Sequence, residues 1–454
     1  MRQRLIAAVL AVVMPISAWL LAGCGAASDS PRQAGFEVKF PGDAPSPKIT
    51  LTLAHSWTAT STTAVDVVHR KLVEQFKQQN PDIEISEDIL DNASLKTKIR
   101  TLAAGNVLPD VFMMLGSDAE KLLDNGLIMP VDWVLNTDPE WRDSFHPEAF
   151  EDFRVGDVIA GVPVQLTVSS LVFYNSEILR RAGYIEFPRT WDEFVDALQR
   201  IKELGTTPIV MGNKDQWVAV SSLLSTLADR HTGTDWFMSL KENSGARFTD
   251  PEFVNALKAI RELSDIGAFN ASINNLNNNQ QRTAYYVGQA AMFLEGGWAI
   301  SSVVADAQKP VLDQTRLAIL PAVPGGRGKP DAVSGGSGWA LALNANLRGE
   351  KLNAAVRLVK WLTGEKAAGM LAELGDISVS RVTSYDRKQA PALFAEYLDL
   401  LEKVDMTPVY DVRLQPIVVQ TLNEGLQELL TPGSKLEPEE LARRIQEVYE
   451  LEQY

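Results

Sequence analysis

A chain of 454 residues, 45% hydrophobic and 22% charged, has the length for two or three domains and the balance of a packed globular body, which excludes disorder over most of it. Acidic residues outnumber basic ones 58 to 43, for a net charge of −15; a non-specific nucleic-acid binder needs a basic face, so the balance argues against that class, though not against a local basic patch. The single cysteine, Cys24, permits no intrachain disulfide and no cysteine-based metal cluster.

The chain opens Met1-Arg2-Gln3-Arg4, and an apolar run from Leu5 to Ala22 follows, interrupted by Pro15 and Ser17. A cationic start, an apolar middle and small residues before Cys24 are the pattern of a secretory signal over residues 1–23. Its end, Leu21-Ala22-Gly23-Cys24, resembles the bacterial lipobox, in which the cysteine becomes the lipidated first residue of the mature chain. An uncleaved transmembrane anchor is the alternative, since the run is close to the minimum span. Residues 24–47, rich in Gly, Ala, Ser, Asp and Pro, read as the lipidated cysteine and a flexible tether.

The body starts with a strand at Ile49–Ala54. A helix follows with Ala64, Val67, Val68, Leu72 and Phe76 on one face, stopped by Asn80-Pro81. His69 lies within it and reads as a surface or boundary residue. A strand at Ile83–Ile89, a helix at Leu95–Ala104, a strand of the fully buried type at Asp110–Met114 and a helix at Asp118–Leu123 continue the alternation. Such alternation predicts an α/β fold with a mainly parallel sheet. Thr167–Tyr174 is a long β-branched run. Thr190-Trp191-Asp192-Glu193 is a capping box that opens a helix reaching about Leu204, and Pro208–Met211 is a short strand. Asp250-Pro251-Glu252 opens another helix. The Asn/Gln-rich stretch Asn270–Gln281 reads as a polar surface connection. Strands are predicted at Ala290–Leu294, Arg316–Leu320 and Ser337–Leu343, then helices at about 349–363, 390–404, 414–430 and 438–452.

No GxSxG, HExxH or Walker A motif is present, and Pro330 spoils the phosphate-like Gly325–Lys329. None of the four histidines, His55, His69, His146 and His231, has zinc spacing to another. Adjacent tyrosines such as Tyr285-Tyr286 chelate ferric iron in some periplasmic carriers, but a ring packed beneath the next strand explains them more simply. No cofactor and no metal are expected. A glycosidase carboxylate pair is not excluded by composition, although no pair stands out.

The order of these segments resembles the extracellular solute-binding proteins of ABC transporters, in the carbohydrate-binding family that includes maltose-binding protein. The residues that carry the resemblance are FKQQNPDIEI (76–85), AAGNVLPDVF (103–112), Gly126–Pro130, GVPVQLTVSSLVFYN (161–175), PRTWDEF (188–194), GQAAMFLEGGW (288–298) and Trp361–Glu365. They span nearly all of residues 48–454. The resemblance implies two α/β lobes with a ligand cleft between them: residues 48–162 plus 342–380, and the helix-rich 163–341 plus 381–454. It implies hinge crossings near Gly161–Gln165, near Ser337–Leu343 and near 378–386. It also implies a monomeric, extracytoplasmic, non-enzymatic protein, membrane-anchored through Cys24, that passes a carbohydrate to the permease subunits of an importer. The alternatives are a secreted carbohydrate-active enzyme, or a carrier of another solute such as a polyamine or a metal complex.

Sugars present apolar C–H faces and a rim of hydroxyls, so their clefts need flat aromatic platforms and polar groups from strand-end loops. Among the ten tryptophans, Trp57, Trp217, Trp298 and Trp339 sit at predicted strand or loop ends, and these are the candidate platforms. Trp191, in a capping box, and Trp361, on a helix, read as structural. The polar candidates are Glu295, His55, Ser56, Asn213, Gln165, Ser117 and Arg381.

Overall fold

The computed structural model describes residues 48–381 and 391–452, so Cys24, the tether and most of the predicted third crossing lie outside the described residues. The first sheet is built from β1 (Ile49–His55), β2 (Ile83–Ile89), β3 (Val111–Leu115) and β4 (Ile128–Met129). A hairpin of β5 (Arg154–Val155) and β6 (Val158–Ile159) leads to β7 (Val162–Pro163). After a short step the chain enters β8 (Thr167–Val168) and β9 (Leu171–Asn175). The strands β10 (Thr207–Val210), β11 (Ala290–Glu295), β12 (Thr315–Ala318), β13 (Ala332–Gly336), β14 (Trp339–Asn344) and β15 (Asp405–Thr407) follow, with helices between them.

Three larger sheets result, ordered β2-β1-β3-β14-β4 with β7 on β14, then β10-β11-β9-β12, then β15-β13-β8. The first three strands of the first sheet run parallel, joined by helices α1 (Ala64–Gln79) and α2 (Asn92–Ala104). Elsewhere the expectation of a mainly parallel arrangement holds only for the pairs β10–β11 and β13–β15. β14 is antiparallel to β3, β4 and β7, and β9 is antiparallel to both β11 and β12. The reason is topological: β14 enters directly from β13 rather than through a helical crossover, so nothing turns it to run with its neighbours.

The apolar pattern accounts for the cores. β3 is buried at every position, as its unbroken apolar run predicts, and α1 turns Val65, Val68, Leu72 and Phe76 inward. One core gathers residues from Leu51 to Leu166 and from Trp339 to Val379, joined by Val409 and Val412. Two further cores draw on Val168–Val333 and on the C-terminal helices. The chain therefore changes core between β7 and β8 and again between β13 and β14. Trp339, Ala340 and Leu341 belong to the first sheet, where they pair with Leu115, Met114 and Met113.

The second passage is pinned. The Asp152 carboxylate is buried and accepts hydrogen bonds from Ser337 N at 2.7 Å, Gly338 N at 2.9 Å and Arg413 Nε at 2.7 Å. Gly338 takes a φ of +66°, which a side chain would oppose, and a Cβ at Gly336 would collide with Asp152.

Candidate ligand-binding site

Between the first and second sheets lies a cavity of about 510 Å³. One wall comes from the loop after β1 and from α2, the other from the segments after β10 and β11, and the floor from the two passages and from residues 409–412.

Four of the candidate residues present aromatic or polar surface to this space under simple local logic. Trp298 follows β11 after Gly296 and Gly297. A Cβ on Gly296 would strike the Trp298 ring, and one on Gly297 would strike Thr167 and Tyr397, so both glycines are required by close approach. Trp298 is half-buried, lines the cavity, and donates its indole N–H to Glu295 Oε1 at 2.7 Å. Trp217, also half-buried, lies 6.2 Å from it between ring centroids at an interplanar angle of 52°, so the two form an angled wall. Trp339 opens β14 and lines the floor with only 8% of its surface exposed. Gln165, in the first passage, is half-buried and lines the cavity.

Ser56 also borders the cavity, held by the Met113 sulfur. Trp57 borders it too, but its ring is fully buried between His55 and His69, with both centroid distances at 4.5 Å. Neither ring face is left for stacking. His69, expected at the surface, is fully buried in this sandwich, and burial lowers its pKa to about 4, so the ring is neutral at pH 7. The helical period puts His69 on the inner face beside Leu72 and Val68, which overrides the usual exposure of histidine.

The other candidates do not line the cavity. His55 is fully buried at the end of β1, where Nε2 pairs with Glu87 at 3.0 Å. Glu295 is fully buried behind Trp298 and accepts hydrogen bonds from Asn278, Gln281 and Trp298. Burial pushes its pKa up, opposed by Arg282 and those three donors. Asn213 is fully buried, and its Oδ1 accepts from Ala219 N, bracing the turn that carries Trp217. Ser117 is buried within helix Gly116–Asp124. Arg381 is exposed, with its backbone N–H bonded to Ser144 O.

Sequence reasoning passed over several residues that do line the cavity. Asn277, Asn278 and Asn279 belong to the stretch read as a surface connection. They open helix Asn278–Tyr286, where Asn277 and Gln280 form a capping box whose N/Q pattern was the available signal. Asp66, Lys96, Lys214, Asp215, Arg282 and Asp411 also line it. Charged residues on solvated helix faces and in cleft walls look alike in sequence. Tyr285 and Tyr286 point elsewhere: their hydroxyls bond to Thr315 and Ser302 inside a core. Among the described residues no cluster of three or more His, Cys, Asp or Glu is arranged to hold a metal ion.

Residues 59–369 match the family model described as bacterial extracellular solute-binding protein. A multiple sugar-binding protein of Streptococcus mutans is 23% identical over 309 residues, covering 67% of this chain and 69% of that one. A probable ABC transporter-binding protein of Deinococcus radiodurans is 25% identical over 244 residues, and the chain spans just over half of it, 56%. Among solved structures, a chitin oligosaccharide binding protein superposes with a TM-score of 0.81 at 23% identity, covering 89% of this chain and 99% of that one. A maltose-bound T. maritima protein does so at 0.73 and 22%, covering 88% and 99%. At these identities the superpositions establish the two-lobe fold. The family match takes in the first sheet apart from β1, the whole second sheet and most of the cavity wall, and the chain belongs to the bacterial extracellular solute-binding proteins.

Proposed function

We propose that the protein captures a carbohydrate, an oligosaccharide by the size of the cleft, and delivers it to an ABC importer without transforming it. The observation that carries this reading is the cavity lining: the angled Trp217–Trp298 wall and Trp339 stand among interleaved acids, bases and amides. Aromatic faces cover the apolar side of a sugar ring, and closely spaced donors and acceptors serve its hydroxyls. The names of the Streptococcus mutans relative and the chitin-oligosaccharide binder point the same way.

In this reading residues 48–162 and 342–380 move as one lobe and the rest as another. The hinges are the passage from β7 to β8, the passage from β13 to β14, and the crossing near 378–386. Ligand shifts an open–closed equilibrium toward the form the permease engages. Release from the cytoplasm and lipidation at Cys24 hold the body at the outer face of a membrane, supported by the apolar run and the small residues before Cys24. A thermal-shift screen against a sugar library tests the reading. A ligand at 100 times its Kd adds about 2.7 kcal/mol of stability. Recovery of the sugar unchanged after incubation supports carriage, whereas its breakdown favours an enzyme. Stabilisation by polyamines or metal complexes alone overturns the carbohydrate assignment.

A further inference from the structure

The cavity contains two charged groups whose bonding capacity the protein leaves unspent. Lys96 rises from α2 and places its ammonium 5.8 Å from the centroid of the Trp339 ring. Among the described residues it makes no hydrogen bond and no ion pair, and its pKa is pushed down by burial, with Asp411 opposing. Asp411 sits across the floor on helix Tyr410–Arg413. It is 3% exposed, and its Oδ1 has no hydrogen-bond partner. Burial pushes its pKa up, with Lys96 opposing.

An unpaired charge in a low-dielectric cavity is costly, and the cost persists unless something in the cavity relieves it. An anion would satisfy Lys96 but face Asp411. A cation would satisfy Asp411 but face Lys96. A hydroxyl is both donor and acceptor, so one hydroxyl, or two adjacent ones, satisfies both groups at once. The rest of the lining is mixed, with Asp66, Asp91 and Asp215 beside Lys214 and Arg282; its one net negative charge disfavours a carboxylate, and Lys96 itself disfavours an amine. Like-charge juxtaposition is a means of rejecting partners.

We propose that Lys96 and Asp411 form a two-sided clamp on the hydroxyls of a sugar ring, and that the ligand is a neutral oligosaccharide rather than one bearing carboxylates or free amines. This rests on the carbohydrate reading above and names the substrate class of that same site.

The test is calorimetric titration of the full chain in detergent with trimers of matched length. Maltotriose, xylotriose and chitotriose are neutral, the chitosan trimer carries free amines, and trigalacturonate carries carboxylates. The expected result is binding of at least one neutral trimer, with both charged trimers at least about tenfold weaker. Lys96→Met and Asp411→Asn each raise Kd at least about tenfold, and the double variant raises it by less than the product. The ligand-free double variant melts at or above the wild-type temperature, because it removes two underpaired charges, one half-buried and one buried. A charged trimer binding more tightly than every neutral one overturns the neutrality claim. Single variants within twofold of wild type overturn the clamp. A ligand-free double variant melting several degrees lower makes the pair structural. Those three outcomes leave the carbohydrate reading standing, whereas failure of wild type to bind any trimer removes that reading and the clamp with it.

Discussion

Trp298 does two things at once. Its face borders the cavity, and its indole N–H donates to the buried Glu295 carboxylate at 2.7 Å. Loss of a buried aromatic anchor costs about 2 kcal/mol of binding or more, near a thirty-fold rise in Kd. Trp298→Ala should show that loss by titration with the cognate sugar. It should also lower ligand-free stability by about 1–3 kcal/mol, because Glu295 loses a donor. Trp298→Phe separates the two effects: a flat ring remains, so affinity falls less than in Trp298→Ala, while the stability loss from the missing N–H persists. Equal affinity losses in both variants would show that the hydrogen bond, not the ring, matters for binding. Asp376 makes a pH prediction. It is 3% exposed, its Oδ1 accepts from Ile377 N, its Oδ2 has no partner, and Asp66 lies near enough to oppose its charge. Burial raises its pKa from 3.8 to about 7. Between those values the folded protein holds a proton that the unfolded chain has released. Its contribution to stability is therefore full below about pH 4 and is lost as pH rises through about 7, by a few kcal/mol. Denaturant titrations at pH 4.5 and 7.5 should show Asp376→Asn flattening that decline, since the amide stays neutral and keeps an oxygen for Ile377. A decline of unchanged slope would refute the assignment.

At the scale of elements, α1 lacks a cap of its own. Its N-cap residue Thr63 makes no capping hydrogen bond and is engaged with Ser61 instead. The first helical N–H, from Ala64, is satisfied by Ser301 Oγ at 2.8 Å, and Thr62 Oγ1 donates to Asp306 Oδ2 at 2.5 Å. Ser301 and Asp306 belong to helix Ala299–Asp306, which follows β11 and packs into a different core from α1. A cap is worth about 0.5–2 kcal/mol, and an acid near a helix N-terminus adds a few tenths. If the lobes move as proposed, this bond forms only as the two walls meet, and its energy then favours closure. Ser301→Ala and Asp306→Ala should each weaken ligand binding about three- to tenfold with unchanged melting of the ligand-free protein. Small-angle scattering should show a larger radius for the ligand-free variants. Unchanged affinity and radius in both would remove the trans-cap as a closing contact.

At the scale of the whole molecule, the passage between β13 and β14 is organised by one buried acid. Asp152 holds Ser337, Gly338 and Arg413 together where the chain changes core. Asp152→Ala leaves two backbone N–H groups and a guanidinium without their acceptor, and breaking a buried pair in this way costs about 3–5 kcal/mol. Denaturant melts should register that loss, and hydrogen exchange should quicken at residues 336–339. Exchange unchanged there, with stability lowered only slightly, would mean the passage is held by its strands alone.

The alternation of strands and helices, the inward stripe of α1, the capping box at Thr190 and the wholly buried β3 were all legible in sequence, because each is written in neighbouring residues at a fixed period. The same local logic singled out Trp298, Trp217, Trp339 and Gln165, which line the cavity, since glycines and strand ends mark places where a side chain can reach a cleft. Local pattern could not say which way a ring faces. His55 and Trp57 sit together at the end of β1, but only the packing of α1 brings His69 to close the sandwich over the indole. Nor could it separate a ligand group from the residue behind it: Glu295 and Asn213 brace the wall that Trp298 and Trp217 present. Lys96 and Asp411 are far apart in the chain and unremarkable in their own segments. Their meaning comes from being left underpaired in one cavity, and that is a property of the folded arrangement, because desolvation and Coulomb attraction depend on distance in space and not along the chain.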